Sequence, residues 1–183
     1  MMIFRPAFSK GRFLVTQRLQ LEPIRVSHAD EAWPALDDAR MWTYFPALRP
    51  PTLDDLRRLY ARWERGPSDP REIWLNLACR DRTSSALVGS VQATVYADSS
   101  ANIAYAVYPA YQRMGYAREA LTALLGRLRI DYQVKRIRAE IDTRNEPSYR
   151  LVESLGLVRR ERRAASDLGQ GENAEQYAYS VDY

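Results

Sequence analysis

The feature of this sequence that most limits what it can fold into is one amphipathic segment held between two alternating ones. Ala117, Ala120, Leu121, Leu124, Leu125 and Leu128 recur at the i, i+3, i+4, i+7, i+8 and i+11 positions, which lines them along one face of an α-helix. Before it, residues 102–108 read NIAYAVY, a strand with Ile103, Tyr105 and Val107 on one side. After it, residues 136–142 read RIRAEID. Ile137, Ala139 and Ile141 face one way there, and Arg138, Glu140 and Asp142 the other. A helix with one apolar stripe has to bury it, and strands on both sides supply the layer that does so.

The rest of the chain extends this unit in both directions. Residues 19–24, LQLEPI, alternate like a strand. Ser27 is placed to cap a helix from His28 to about Asp38. Thr52, with Asp55 three residues on, opens another to about Arg65, closed by GPSDP. Residues 73–79 and 86–96 read as a hairpin joined by the charged RDRTSS. Asn145 caps a further helix, with Pro147 in its first turn and Gly156 at its stop. Residues 157–163 and 176–181 are two closing strands around the polar SDLGQGEN. The predicted order is β-α-α-β-β-β-α-β-α-β-β. That is an α/β (α+β) fold with a mixed, mostly antiparallel central sheet and helices on both faces. The whole of 1–183 is expected to be one domain, with its core at about 16–183.

Composition narrows the class of function. Apolar residues make up 46% and charged residues 27%, as in soluble globular proteins. No run reaches the ~18 apolar residues of a membrane span. The start, MMIFRPAFSKGRF, lacks the apolar core and cleavage site of a secretory signal. The cytoplasm is therefore the expected location, and no membrane partner is expected. The single cysteine, Cys79, allows no internal disulfide and sits in the apolar run IWLNLAC, where a buried, inert thiol is expected. The net charge of +4 is carried almost wholly by arginine, Lys10 and Lys135 being the lysines. That charge is small for a nucleic-acid partner. The densest basic run, RRERR at Arg159–Arg163, reads as a solvated strand surface or as a patch for an anionic ligand or acidic partner. The only histidine, His28, stands at a helix start, where capping or surface placement is expected rather than catalysis.

Between the central strand and its helix stands PAYQRMGYAR, residues 109–118. A helix N-terminus offers unpaired backbone N–H groups and partial positive charge, both suited to phosphate. Gly115 lets the backbone come close to an anion, and Gln112 and Arg113 can add side-chain donors. QRMGYA is neither a P-loop, since the Gly-Lys-Ser/Thr ending is absent, nor the three-glycine dinucleotide fingerprint. On spacing alone it is a helix-start anion site or simply a turn.

QRMGYA resembles the Q/R-x-x-G-x-G/A loop of the GNAT superfamily of N-acetyltransferases. YAVYPAYQRMGYAREAL, with Glu119 and Ala120 just inside the helix, resembles the strand, loop and helix of its RimJ/RimL-like branch. AEIDTRNEPSYRLVESLGL resembles that branch's N-x-x-S … E-x-x-G-F segment, with Asn145, Ser148, Glu153, Leu155 and Gly156 in register and Leu157 where Phe is common. TQRLQLEPIRVSHADEAW, with Thr16, Arg18 and Leu19, resembles the branch's first strand and helix. The resemblance covers about residues 16–183.

The resemblance implies a GNAT-like fold and transfer of an acetyl group from acetyl-CoA, as co-substrate, to a primary amine of a protein N-terminus or a small molecule. No metal is implied, and assembly as a homodimer is left open. The pyrophosphate is expected on Gln112, Arg113, Met114, Gly115, Tyr116 and Ala117. The pantetheine is expected to pair with the end of IAYAVY, chiefly Val107, whose neighbouring backbone N–H is the candidate oxyanion donor. Asn145 and Ser148 are expected beside pantetheine and sulfur. Glu140 or Asp142 is the candidate base, since the amine must be neutral to attack. Two positions depart from the family pattern. Asn102 stands where many members have a Glu, and Val152 where many have a Tyr acid. These departures keep open a CoA-binding protein without turnover, acting as a sensor or interaction module. Trp42, Tyr44 and Phe45, in the Pro-bounded MWTYFPALRPP, are either core aromatics or walls of an amine pocket. A basic ribosome- or RNA-associated module ranks last, because the aromatics and arginines are not interleaved.

Overall fold

The computed structural model describes residues 13–164 and 175–183. Eight strands form one sheet: β1 (Leu14–Val15), β2 (Leu19–Pro23), β3 (Glu72–Asp81), β4 (Leu87–Tyr96), β5 (Ser100–Val107), β6 (Arg136–Asp142), β7 (Val158–Ala164) and β8 (Glu175–Asp182). Their spatial order is β1-β2-β3-β4-β5-β6-β8-β7. Every neighbouring pair is antiparallel except β5 and β6, which run parallel. Among the described residues four α-helices, α1 (His28–Leu36), α2 (Leu53–Arg65), α3 (Tyr116–Asp131) and α4 (Glu146–Ser154), accompany the sheet. The expected order therefore stands, with the two-residue β1 added in front.

Alternation along β3 shows how the sheet serves two cores. Leu75, Leu77 and Cys79 join Leu19, Val91, Ile103 and Ile137 beneath the stripe of α3 and Val152 of α4. Ala78, between them, faces the other way and packs with Ile24, Ala32, Leu36, Leu56 and Tyr60 under α1 and α2. Leu121, Leu124 and Leu128 of α3 are fully buried, each contributing ~1.5–3 kcal/mol through area removed from water. Cys79 lies in the first core, where burial pushes its thiol up to about 12, so it is inert as expected.

Several local expectations are corrected. Ser27 makes no side-chain cap to α1. The backbone N–H of Arg25 instead donates to His28 Nδ1 at 3.0 Å, and His28 Nε2 lies 3.3 Å from Glu22 Oε1, so this histidine is a buried structural group at the helix start. Thr52 caps α2 by accepting from the Asp55 N–H at 3.2 Å, and the Asp55 carboxylate takes the Thr52 hydroxyl at 2.6 Å. β3 continues through Arg80 and Asp81, which sequence polarity assigned to the connection. The SDLGQGEN connection lies outside the described residues.

The RRERR run is the exposed edge strand β7. Each arginine has a carboxylate partner: Arg159 with Glu153, Arg160 with Asp182, Arg162 with Glu175, and Arg163 with Glu161 and Glu140. The solvated-strand reading fits this pairing and the anion-patch reading does not. The register slips between Arg159 and Glu161. A bulge and charged side chains on an edge both discourage pairing with another sheet.

Candidate functional site

The seam between β5 and β6 is short. Ser100, Ala101 and Asn102 pair with Arg136, Ile137 and Arg138, and the ladder stops there. Beyond it β5 stays with β4 through Val107, and β6 stays with β8 through Asp142. A wedge therefore opens between residues 103–107 and 139–142. On the side of α3 and α4, Tyr105 bridges to the start of α4. Its hydroxyl lies 3.0 Å from the Ser148 carbonyl and 2.5 Å from Ser148 Oγ. Burial pushes the Tyr105 phenol up to about 12, so it holds its proton at neutral pH.

Two segments frame the wedge. The first is the turn at the end of β5. Gln112 Nε2 donates to the Val107 carbonyl at 3.1 Å, which folds the turn back on the strand end. This bond uses one of the two N–H donors of the Gln112 amide and leaves the other for a ligand. Arg113 (φ +62°) and Gly115 (φ +82°) both adopt left-handed backbone, on either side of Met114. Residues 112–115 are exposed, and Gly115 is the N-cap of α3. Successive backbone N–H groups in such a turn make a concavity suited to an anion. Tyr116 anchors the helix start by donating to Asp81 Oδ2 at 2.9 Å. Asp81 is itself held by the backbone N–H groups of Ser84 and Thr83, at 2.8 and 3.0 Å. Those bonds, the Ser84 N–H first and then the Tyr116 hydroxyl, bring its pKa down to about 2.

The second segment is the turn from β6 into α4. Asn145 Oδ1 accepts from the Ser148 N–H at 3.3 Å, the expected cap. Asp142 is fully buried and accepts from Arg144 through N and Nε at 2.9 Å and Nη2 at 2.7 Å. The Arg144 guanidinium holds its carboxyl below the usual range. Asp142 therefore builds the turn and is a poor base, which removes it from the two base candidates. Arg118 Nη2 donates to Ser154 Oγ at 2.7 Å and ties α4 to the start of α3.

The residues named from the sequence do not all meet. Val107, the 112–117 turn, Asn145 and Ser148 surround the wedge on the side of α3 and α4. Glu140 is exposed on the opposite face, 3.6 Å from Arg163 Nη1. Asn102 stands at the end of the seam, its Nδ2 donating to the Tyr96 hydroxyl at 3.3 Å. Val152 is a fully buried core residue. Trp42 donates to the Leu36 carbonyl at 2.6 Å and packs in the core under α1 and α2. Tyr44 comes near enough to add to the rise in the Arg144 pKa, behind Asp142. Phe45 is half-buried. Sequence reasoning missed the Tyr105–Ser148 contact and the Asp81 anchor, which join residues 43 and 35 positions apart.

Residues 18–158 match the family model of the acetyltransferase (GNAT) domain. The chain belongs to the GNAT acetyltransferase family. Membership makes it an N-acetyltransferase that uses acetyl-CoA. Solved GNAT structures agree with the fold. An acetyltransferase of the family from Bacillus anthracis gives a TM-score of 0.79 at 22% identity, over 93% of this chain and 98% of its own. RimL, the ribosomal L7/L12 alpha-N-protein acetyltransferase, in complex with coenzyme A, gives 0.77 at 13% identity over 93% and 98%. The microcin C7 self-immunity acetyltransferase MccE, in complex with acetyl-CoA and AMP, gives 0.76 at 16% identity over 92% and 94%. At these identities the likeness is one of fold. No curated protein matches the chain in sequence. Among the described residues no helix is long and apolar enough to cross a membrane.

Proposed function

We propose that this chain transfers the acetyl group of acetyl-CoA to the α-amine of a peptide by direct attack on the thioester. The observation that carries the reading is the wedge between β5 and β6, with an exposed left-handed turn at one rim and Ser148 at the other. The pantetheine amides are assigned to the free edge of β5 near Val107, and the pyrophosphate to the backbone of residues 112–117. A backbone N–H beside Val107 is assigned to the developing oxyanion. Ser148, hydrogen-bonded to Tyr105, is assigned to the sulfur, where its hydroxyl donates a hydrogen bond to the departing thiolate in place of the tyrosine absent at Val152.

The other face of the sheet supports this acceptor class. Asn76, Gln92 and Ala104 lie side by side across β3, β4 and β5, flanked by Ser90 and Ala106 on one side and Thr94 and Asn102 on the other. This surface is neutral and able to form hydrogen bonds, which suits an extended peptide. A polycationic amine would need several carboxylates. Here Glu72 accepts from Trp74 Nε1 at 2.9 Å, and Glu140 lies beside Arg163. Glu140, exposed on this face and more loosely paired than Asp142, is assigned as the base, directly or through water. An α-amine, with a pKa of about 8, needs less help than a lysine amine at about 10.4. RimL, an alpha-N-protein acetyltransferase by name, supports the same class.

Thiol release from acetyl-CoA across a panel of amines tests this. Short peptides with free N-termini are expected to turn over, and N-blocked peptides, polyamines and aminoglycosides are not. Turnover confined to the cationic small amines sinks the peptide reading. CoA binding with no thiol release on any amine favours the second reading, a CoA-binding protein without turnover, which Asn102 and Val152 support. In the active protein, Ser148→Ala and Tyr105→Phe are each expected to lower kcat roughly tenfold, below the usual range for acid catalysis because a thiolate leaves readily. KM for acetyl-CoA should stay within about twofold. An unchanged kcat in both variants removes the pair from the chemistry.

A further inference from the structure

We propose that Arg18 and Glu119 form a clamp that fixes the backbone of the 112–117 turn for the donor's pyrophosphate, making both positioning residues. The inference rests on the assignment of that turn to the pyrophosphate. Arg18 enters from the start of the chain and grips the turn at three points. Its Nη1 donates to the Met114 carbonyl at 2.9 Å. Its Nε donates to Glu119 Oε2 at 2.7 Å, in the first turns of α3. Its guanidinium lies 4.6 Å from the centroid of the Tyr116 ring. Glu119 is gripped in return, since Oε1 accepts from the Arg18 N–H at 2.7 Å and the Thr16 hydroxyl at 2.6 Å. Burial works against the Glu119 carboxylate, but these bonds outweigh it and its pKa lies below the usual value. The clamp is therefore charged at neutral pH.

Two physical consequences connect this clamp to an anion. In a trans peptide the carbonyl and the following N–H point in opposite directions. Pinning the Met114 carbonyl toward Arg18 therefore turns the Gly115 N–H away from Arg18, at the mouth of the helix. The second consequence is electrostatic. Glu119 places a carboxylate close to a proposed anion site, where it would repel phosphate unless neutralised. Arg18 neutralises it directly. The pair is only partly buried, with side-chain exposures of 41% and 18%, and pairs of that kind contribute little to global stability. Its effect falls instead on the presentation of the turn.

The test compares wild type with Arg18→Gln, Arg18→Lys, Glu119→Gln and the Arg18→Gln/Glu119→Gln double variant. Folding is checked by thermal melting. Calorimetry with CoA gives Kd, and steady-state rates use acetyl-CoA and S-acetylpantetheine, which lacks the pyrophosphate. Arg18→Gln is expected to raise Kd for CoA and KM for acetyl-CoA roughly tenfold, with kcat within about twofold. Arg18→Lys should fall between it and wild type, because one ammonium cannot reach both Met114 and Glu119. The double variant should bind CoA no worse than Arg18→Gln, since it also removes the unpaired carboxylate. The ratio of kcat/KM for acetyl-CoA to that for S-acetylpantetheine should fall about tenfold in Arg18→Gln. Equal losses with both donors, or unchanged CoA binding in folded Arg18→Lys and Glu119→Gln as well as Arg18→Gln, overturn the clamp alone. A wild-type protein that binds no CoA overturns both the clamp and the assignment beneath it.

Discussion

Replacing Gly115 by valine is expected to weaken CoA binding at least about tenfold while the protein stays folded. Gly115 sits at φ +82° and ψ 0° as the N-cap of α3. A β-branched residue forced into that left-handed region costs roughly 1–2 kcal/mol, and a factor of ten in affinity corresponds to about 1.4 kcal/mol. Crowding adds to strain, because a Cβ built at Gly115 lies 3.3 Å from Arg18 Nη2. A branched side chain there would push Arg18 off the Met114 carbonyl. The turn is exposed, so the loss should appear in Kd more than in the melting temperature. Gly115→Asn separates the two causes, because asparagine tolerates left-handed backbone. Its affinity should fall between that of wild type and that of the valine variant. A valine variant that binds CoA as tightly as wild type sinks the assignment of this turn.

Gly89→Ala is expected to cost about 3 kcal/mol or more of stability, lowering the melting temperature by roughly 6–12 °C for a chain of this size. The cause is a close approach of backbones. An ideal Cβ at Gly89 would lie 2.1 Å from the Ala106 carbonyl oxygen and 2.9 Å from Val107 Cα. Neither is the end of a flexible side chain, so β4 and β5 would have to separate. Gly89 pairs with Val107, so the separation would fall at the strand end assigned to the thioester, and kcat should drop with stability. Thermal melting and steady-state rates on the purified variant check both. A fully stable Gly89→Ala would mean that the strands part easily at this point.

How much could be read from the sequence depended on whether a residue's role was periodic or long-range. The stripe of α3 and the alternation of β6 were legible because a regular pattern repeats over several turns or pairs. The two-residue β1 has no period to read. Arg80 and Asp81 look like loop residues, yet they lie in β3. Arg80 pairs with Glu22 and Glu31, and Asp81 receives the Tyr116 hydroxyl, so tertiary contacts override local polarity. Ser27 has the chemistry of a cap but a helical backbone at φ −60° and ψ −20°, which leaves its hydroxyl unused. In the site, Gly115 announced a turn because glycine marks unusual backbone. The direction of the Gln112 side chain, the burial of Asp142 and the Tyr105–Ser148 contact had no such local mark. Each is decided by what the folded chain brings alongside.

The three-pair seam between β5 and β6 also governs how the molecule carries load. The eight strands form two ribbons, β1–β5 and β6–β8, joined at one end by this seam and bridged by the Tyr105 phenol, the Arg118–Ser154 contact and the core shared beneath α3 and α4. A force that spreads the gap would have to break the seam, these bridges and the shared core together. A guest that offers amides to both edges would act as a keystone. It would turn two ribbons into one continuous plate, and the rigidity of the sheet would then belong to the complex rather than to the chain.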